Sequence, residues 1–367
     1  MSPKASQPAP VIVEQLIRCR AAQSVQELRQ SVARIKNELP DSADSPNGTD
    51  DYLLSELTQI TEALTLERGL YYVERLIRSM SEVRTSAIND INLNRWKEYD
   101  DILTDSLWVV DRRDSSGVHT AGYWGNFVPQ IPRQMMTRYT RKGDWVLDPF
   151  AGSGTTLIEG QRLGRNSIGI ELQPRMVEYA NGLIASEPNS HHVTADVVIG
   201  DSATADLRSI LQDHGTETVQ LVITHPPYLD IIRFSDDPRD LSNAASVEAF
   251  LEMMGRVVEN VAPVLDSGRY LALVIGDKYA KGDWIPLGFQ TMNEVIKRGF
   301  SLKSIVVKNF EDTTGKRNQK ELWRYRALVG GFYIFKHEYI FIFRKDQASN
   351  QRYVQSDESE RCGTALK

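Results

Sequence analysis

The sequence predicts an α/β fold: a mostly parallel sheet with helices on both faces, preceded by a helical N-terminal region. Three observations carry that expectation. From about Trp145, short β-branched runs alternate with helical stretches of ten to twenty residues, the texture of strands joined by crossover helices. A glycine-rich turn, VLDPFAGSGTTLIEG (residues 146–160), stands where the first of these strands would give way to a helix. Before about residue 104, the apolar residues recur at helical spacing.

In chain order, residues 11–37 carry one helical stretch, and PDSADSPNGTDD (40–51) follows as a polar, turn-rich linker. Helical spacing resumes from Leu53 to about Ser81, so residues 1–104 read as a helical accessory region or a partner surface. Seven strands are then expected: WVLD, SIGIE, VVIGD, LVIT, YLALVIGD, KSIVVK and YIFIF, within a catalytic domain at 105–345. The polar tail, 346–367, reads as disordered.

Composition limits the function. A chain of 367 residues, 41% hydrophobic and 25% charged, suits one large α/β domain with an accessory piece. Its two cysteines, Cys19 and Cys362, support neither a disulfide framework nor a cysteine zinc site, and no HExxH or CxxC pattern occurs, so no metal is expected. No apolar run reaches the roughly 20 residues of a bilayer crossing, and the Pro/Ser/Ala-rich start lacks a signal peptide's apolar core. A cytoplasmic protein without a membrane partner is the expectation. The net charge of −6 argues against a uniformly basic nucleic-acid binder and confines any polyanion to a local patch.

The glycine turn narrows the ligand. Gly152 and Gly154 let the backbone approach a bound molecule closely. Thr155, Thr156 and Leu157 follow where a dinucleotide fold places its third glycine, and no Walker lysine is present. Asp148, just before the turn, would repel a pyrophosphate and suits a cofactor carrying positive charge. Glu171 ends a second strand where an acid accepts hydrogen bonds from ribose hydroxyls, and Asp201 ends a third on the same rim. S-adenosylmethionine, with an ammonium, a sulfonium and a ribose but no phosphate, meets these conditions. Taken alone, the glycines are also compatible with a simple tight turn.

A second stretch, LVITHPPYLDIIRFS (221–235), runs a strand into His-Pro-Pro-Tyr, where two prolines stiffen the backbone. Together with DPFAGSGTT it resembles the S-adenosylmethionine-dependent DNA methyltransferases that make N4-methylcytosine or N6-methyladenine. The resemblance covers about residues 105–345 and implies a Rossmann-like fold with a seven-stranded sheet. It implies that Asp148, Phe150, Ala151, Gly152 and Gly154 form the cofactor loop, with Glu171 as the ribose acid and Asp201 at the adenine. GNFVPQIP resembles the segment closing the methionine end and nominates Phe127 and Pro129, although Phe127 and Phe150 would also serve as ordinary core aromatics. His225, Pro226, Pro227 and Tyr228 occupy the catalytic tetrapeptide, and KHEYIFIFRK resembles the last sheet hairpin.

An exocyclic amine shares its lone pair with the base, so acceptors must hold its hydrogens before it attacks a methyl group. The first tetrapeptide side chain and the first proline carbonyl can do this while the aromatic ring stacks on the base. This is catalysis by positioning and local electrostatics. His225 departs from the family's Asp, Asn or Ser. Neutral imidazole offers one acceptor nitrogen and imidazolium none, so the methylation rate is expected to fall as pH drops through about 6.5, the ordinary His value. A His225 that only shapes the loop is the plainer reading. The preceding Ile-Thr slightly favours N4 of cytosine over N6 of adenine.

Target recognition is expected from the segment after Tyr228, which includes Arg233, or from residues 308–336. There Lys316, Arg317, Lys320, Arg324 and Arg326 interleave with Trp323 and Tyr325, a composition that can hold DNA phosphates and stack on bases and equally that of a solvated charged face. A duplex target would have to be flipped out of the stack. Asp277 reads as a turn cap, and His191, His192 and His214 as surface residues; His119 and His337 are candidates for the site without a spacing that demands it. Two further functions share the tetrapeptide logic, RNA guanosine N2-methylation and protein glutamine methylation. A third reading, suggested by His225, is a non-catalytic binding protein on a decayed methyltransferase fold. A restriction or defence partner and the oligomeric state are not legible in these residues.

Overall fold

The structure, a computed structural model, describes residues 9–39, 49–120, 125–280, 282–309 and 320–346. The chain divides into two units, Met1–Ile102 and Leu103–Lys367. The tail from 347 onward, and residues 40–48 of the expected linker, lie outside the described residues.

In the first unit, four helices stand where the pattern suggested two stretches: α1 (Ala9–Cys19), α2 (Val25–Glu38), α3 (Thr49–Thr61) and α4 (Leu66–Ser81). The breaks have local causes. Ser24 and Thr65 are N-caps whose hydroxyls accept 3.2 Å hydrogen bonds from the backbone N–H groups of Glu27 and Arg68, each satisfying a donor that the first helical turn leaves orphaned. α3 begins inside the stretch expected as linker. The apolar stripes meet in one core in which Leu16, Leu28, Val32, Leu57, Ile60, Val73 and Leu76 are fully buried. Glu56 is buried beside them and paired with Arg75 and Lys97.

The second unit is built on a sheet whose strands are β1 (Leu107–Trp108), β2 (Trp145–Asp148), β3 (Asn166–Glu171), β4 (Ala195–Ile199), β5 (Val219–Thr224), β6 (Leu265–Ile275), β9 (Phe300–Asn309) and β10 (His337–Lys345). Their spatial order is β1-β9-β10-β6-β5-β2-β3-β4. All pairings are parallel except those of β10 with β6 and β9. The sheet therefore has eight strands, not the seven expected. The extra one, β1, has two residues, too few for any alternation to be visible in the sequence. It is held by pairing to β9 and by Val110 N donating to Asn309 Oδ1 at 2.7 Å.

Helices α5 (Gln130–Tyr139), α6 (Thr155–Leu163), α7 (Pro174–Ser186), α8 (Leu207–Asp213), α9 (Val247–Val261) and α10 (Leu287–Ile296) connect the strands, and α11 (Lys320–Gly330) precedes β10. A small antiparallel hairpin pairs β7 (Lys278–Ala280) with β8 (Asp283–Ile285). Side chains alternate across a strand, and here both sets are buried. Leu147, Val222, Leu271, Leu273, Phe341 and Phe343 pack with Phe250, Met254 and Val258 of α9 and Leu287 of α10. The intervening Val146, Leu221, Ile223, Ala272, Val274, Ile340 and Ile342 are buried as well, as a sheet covered on both faces requires. β2 lies between β3 and β5, so the strand order reverses there and opens a crevice at the carboxyl ends.

Candidate active site

β2 ends at Asp148 and β5 at Thr224, and the two strands pair through Leu147 and Val222. The glycine turn and the tetrapeptide therefore leave the same sheet edge side by side. Gly152 and Gly154 take φ values of +51° and +79°, the left-handed region that favours glycine. The turn is braced from two directions. Ala151 N donates to Ile170 O at 3.0 Å, and Gly152 N donates to Glu171 Oε2 at 3.1 Å.

Glu171 also accepts from Gln173 N at 2.9 Å through Oε1. Burial pushes its carboxyl up, and the backbone donors pull it back down. Asp201 accepts from Ala203 N and from the Thr204 hydroxyl, both at 3.0 Å. Asp148 departs from the open rim position suggested by the sequence. It is 1% exposed, and its oxygens accept from Phe150 N at 2.9 Å and the Thr156 hydroxyl at 2.5 Å. Burial pushes its carboxyl up to about 6, against the pull of those two bonds. Asp148 thus supports the turn from beneath.

Phe127 is buried, as is Ala151, while Phe150 is half-buried. The Ser153 hydroxyl donates to Asn126 Oδ1 at 2.6 Å, tying the segment before Pro129 to the glycine turn. The Phe127 ring meets His225 edge-on at 5.0 Å between centroids. Arg113 fixes this segment by donating to the carbonyls of Phe127 at 2.8 Å and Thr120 at 3.2 Å. Burial holds its guanidinium below the usual range. Sequence reasoning missed Arg113, since an Arg-Arg pair between two aspartates in a polar stretch carries no motif.

In the tetrapeptide, His225 Nε2 lies 3.0 Å from the Tyr228 hydroxyl, which donates to Glu338 Oε2 at 2.9 Å. Glu338 Oε1 is 3.1 Å from Lys308 Nζ, and these two face each other in register on β10 and β9. Both are buried. Sequence reasoning missed these two as well, although each is a charge next to an apolar strand run, which is the one signal available. Pro226 is buried and Pro227 partly so. Gly276 lies beneath the Tyr228 ring, where an added Cβ would come within 3.0 Å of Cε2. Leu229, the next residue, is buried at φ +54°, a left-handed conformation that costs a non-glycine roughly 1–2 kcal/mol.

His225 as a residue is partly buried, and burial of its ring pushes its pKa down to about 4; Glu338 opposes that shift and Lys308 adds to it. The ordinary value of about 6.5 assumed from sequence does not apply inside this enclosure. Burial and Glu338 together raise the Tyr228 phenol well above its usual range.

The remaining candidate residues have structural partners. Asp277 accepts from Gly288 N at 2.9 Å and Trp284 Nε1 at 3.0 Å, holding the start of α10. His119 pairs with Glu159 at 2.7 Å, His214 with Asp196 at 3.1 Å, and His337 meets the Tyr339 hydroxyl. Arg233 is exposed and paired with Asp236 at 2.8 Å. Arg324 and Arg326 are exposed on α11, with Arg326 over the Trp323 ring at 5.3 Å. Lys316 and Arg317 lie outside the described residues, as does the side chain of Lys320. After α11, Phe332 stacks on Tyr279 and Phe335 packs at a tilt against Trp284, fastening this segment to the β7–β8 hairpin. Lys278 of that hairpin pairs with Asp230, two residues past Tyr228.

The donor set fits S-adenosylmethionine. The two backbone bonds to Glu171 use two of about four lone-pair sites, leaving the others for ribose hydroxyls. Asp201 stands beyond the end of the neighbouring strand, and the glycine turn carries no lysine or arginine that would mark a phosphate site.

Comparison with known proteins agrees. A family model described as a DNA methylase matches residues 67–182 and 219–366, and one described as an RMKL-like methyltransferase domain matches 134–264. A stretch of 58 residues is 45% identical to the type II methyltransferase M.MjaII of Methanocaldococcus jannaschii, covering 16% of this chain and 11% of that protein. Another, of 91 residues, is 35% identical to M.Cfr9I of Citrobacter freundii, covering 24% and 29%. A third, of 107 residues, is 33% identical to the tRNA (guanine(10)-N2)-dimethyltransferase of Methanothermobacter thermautotrophicus, covering 29% of each. Each match spans less than a third of the relative's own length. The DNA methylase model, by contrast, matches well over half of this chain, and the chain belongs to that family of N4- and N6-directed amino-methyltransferases, whose cofactor is S-adenosylmethionine.

Proposed function

We propose that this protein is a site-specific DNA methyltransferase acting on an exocyclic amino group, with N4 of cytosine favoured over N6 of adenine. One observation carries the reading. Phe127 bridges the cofactor turn and the tetrapeptide: its neighbour Asn126 is tied to Ser153, while its own ring rests on His225. A methyl donor held at the turn and an amine held at His225 would then be neighbours. The bound cofactor supplies an electrophilic methyl carbon. The chain's own part is to orient the amine: neutral His225 and the Pro226 carbonyl accept its hydrogens, freeing the nitrogen lone pair, while Tyr228 stacks on the base. No covalent enzyme intermediate is needed.

A second reading, RNA guanosine N2-methylation, is favoured by the tRNA dimethyltransferase relative and the RMKL-like match. The first unit weighs against it, because its regular elements among the described residues are helices and not a mixed RNA-binding module. The test is methyl transfer from labelled cofactor to mixed DNA, tRNA and protein in parallel, followed by nucleoside mass spectrometry. N4-methylcytosine or N6-methyladenine in the DNA is the expected product. Label confined to N2-methylguanosine in tRNA would establish the second reading, and no label anywhere would favour a binding protein on a decayed fold.

A further inference from the structure

His225 can serve as an acceptor only through a nitrogen that carries no proton, so its tautomer decides whether the site works. The surrounding bonds determine that tautomer. The Tyr228 hydroxyl has one hydrogen and lies between two acceptor candidates, His225 Nε2 at 3.0 Å and Glu338 Oε2 at 2.9 Å. Glu338 is paired with Lys308, at 3.1 Å in the buried register between β10 and β9. A hydrogen bond to an ionised carboxylate is the stronger of the two options, so the tyrosine hydrogen goes to Glu338. The Tyr228 oxygen must then receive a hydrogen from His225 Nε2. That leaves Nδ1 bare: the one hydrogen bond of the ring among the described residues is the one through Nε2.

We propose that Glu338, supported by Lys308, is a positioning residue: acting through Tyr228, it holds His225 as the Nε2–H tautomer and thereby presents Nδ1 as the acceptor for the substrate amine. The role of Nδ1 rests on the methyltransferase reading above, whereas the tautomer itself does not. The arrangement accounts for a histidine where the family has Asp, Asn or Ser. Each of those side chains carries an oxygen whose acceptor character is fixed by its covalent structure, whereas an imidazole needs a second group to choose which nitrogen is the acceptor. It also explains a buried ion pair on two strands that otherwise meet the core with apolar side chains. The downward push on the His225 pKa keeps the ring neutral, and the Tyr228–Glu338 chain selects which neutral form.

The test reads the tautomer directly. Protein labelled with 15N-histidine is examined by long-range 1H–15N correlation, and the His225 signals are identified by their loss in His225→Asn. The wild type should show a protonated Nε2 and an unprotonated Nδ1. In Glu338→Gln the amide can pair with Lys308 through its oxygen and donate to the Tyr228 oxygen. The tyrosine hydrogen then turns to His225 Nε2, and the proton should move to Nδ1. The single-turnover methylation rate should fall at least about tenfold, within the range of a lost acid–base or acceptor group, with cofactor affinity unchanged. In a His225→Ser background, Glu338→Gln should cost less than twofold further, because a hydroxyl oxygen is an acceptor whichever way its hydrogen turns and has no tautomer to select.

A wild-type Nδ1–H signal, or an unchanged tautomer in Glu338→Gln, would overturn the proposal. The wild-type spectrum alone decides the first point even if the variant does not fold. A tautomer that shifts as expected in a protein that methylates nothing would overturn the methyltransferase reading and leave the relay standing.

Discussion

At the level of single residues, the site depends on where ionisation is suppressed. Asp148 and His225 sit at the ends of adjacent strands, and burial moves them in opposite directions, to about 6 and about 4. In both cases the neutral form gains, as desolvation dictates. For His225 the sign is as follows. A proton binds the unfolded chain near 6.5 but the folded ring only near 4, so stability is fully present above about 6.5 and is lost as pH falls toward 4. The acceptor role follows the folded value. The single-turnover methylation rate, corrected for the folded fraction, should stay level between pH 8 and about 5 as far as His225 is concerned, then fall tenfold per unit below about 4. A midpoint near 6.5 would mean that the ring is open to solvent during the reaction. The sequence made His225 conspicuous but not its environment. Glu338 and Lys308 lie 113 and 83 positions beyond it, and only the strand register brings them together.

At the level of elements, what was legible is what has a period or a motif. The seven longer strands and the helices between them follow from alternation. The glycine turn was legible because left-handed backbone favours glycine, which stands at both such positions, Gly152 and Gly154. β1 was not, since two residues cannot display a period, and the helix breaks at Ser24 and Thr65 were hidden inside continuous helical spacing. In each helix break a single hydroxyl decided the outcome against the apolar pattern. The turn gives an element-scale prediction. Gly154 has φ +79°, and a Cβ there would come 3.3 Å from Ile184 Cδ1 and 3.4 Å from Ala180 Cβ on α7. Gly154→Ala should therefore cost roughly 1–2 kcal/mol in backbone strain and lift the start of α6 away from α7. Calorimetry should register weaker cofactor binding by at least about tenfold, if even 1.4 kcal/mol of that strain is relieved by giving up the binding-competent turn. Gly143 provides the control: it has φ +83° with no atom within 4 Å of an added Cβ, and it lies before β2. Gly143→Ala should lose similar stability and keep its cofactor affinity. Equal loss of affinity in both variants would show that general destabilisation, and not the turn, governs binding.

At the level of the whole molecule, the proposed DNA substrate raises the question of how a chain of net charge −6 would meet a polyanion. Long-range attraction works against it, so binding must come from a restricted surface whose positive charges lie close to the phosphates. By sequence, the region from Lys316 to Arg326 is the candidate. Phe332 and Phe335, which follow α11, pack on Tyr279 and Trp284 of the β7–β8 hairpin, and that hairpin is paired through Lys278 to Asp230, two residues past Tyr228. Exposed Arg324, Tyr325 and Arg326 add the mixture of cation and aromatic ring that suits an unstacked base. Arg233 is less suited, because Asp236 already neutralises it. Reversing the charge of Lys316, Arg317 and Lys320 together should thus weaken DNA binding at low salt and flatten its salt dependence, the slope of log K against log salt dropping by about 0.9 for each phosphate that is no longer neutralised. Cofactor affinity is the control, and it should be unaffected if these residues serve the DNA alone. A drop of about two or more in slope would locate the DNA track on this segment. An unchanged slope would move it to another surface, and the helical first unit, with Arg68 beside Tyr72 on α4, would then be the next to reverse.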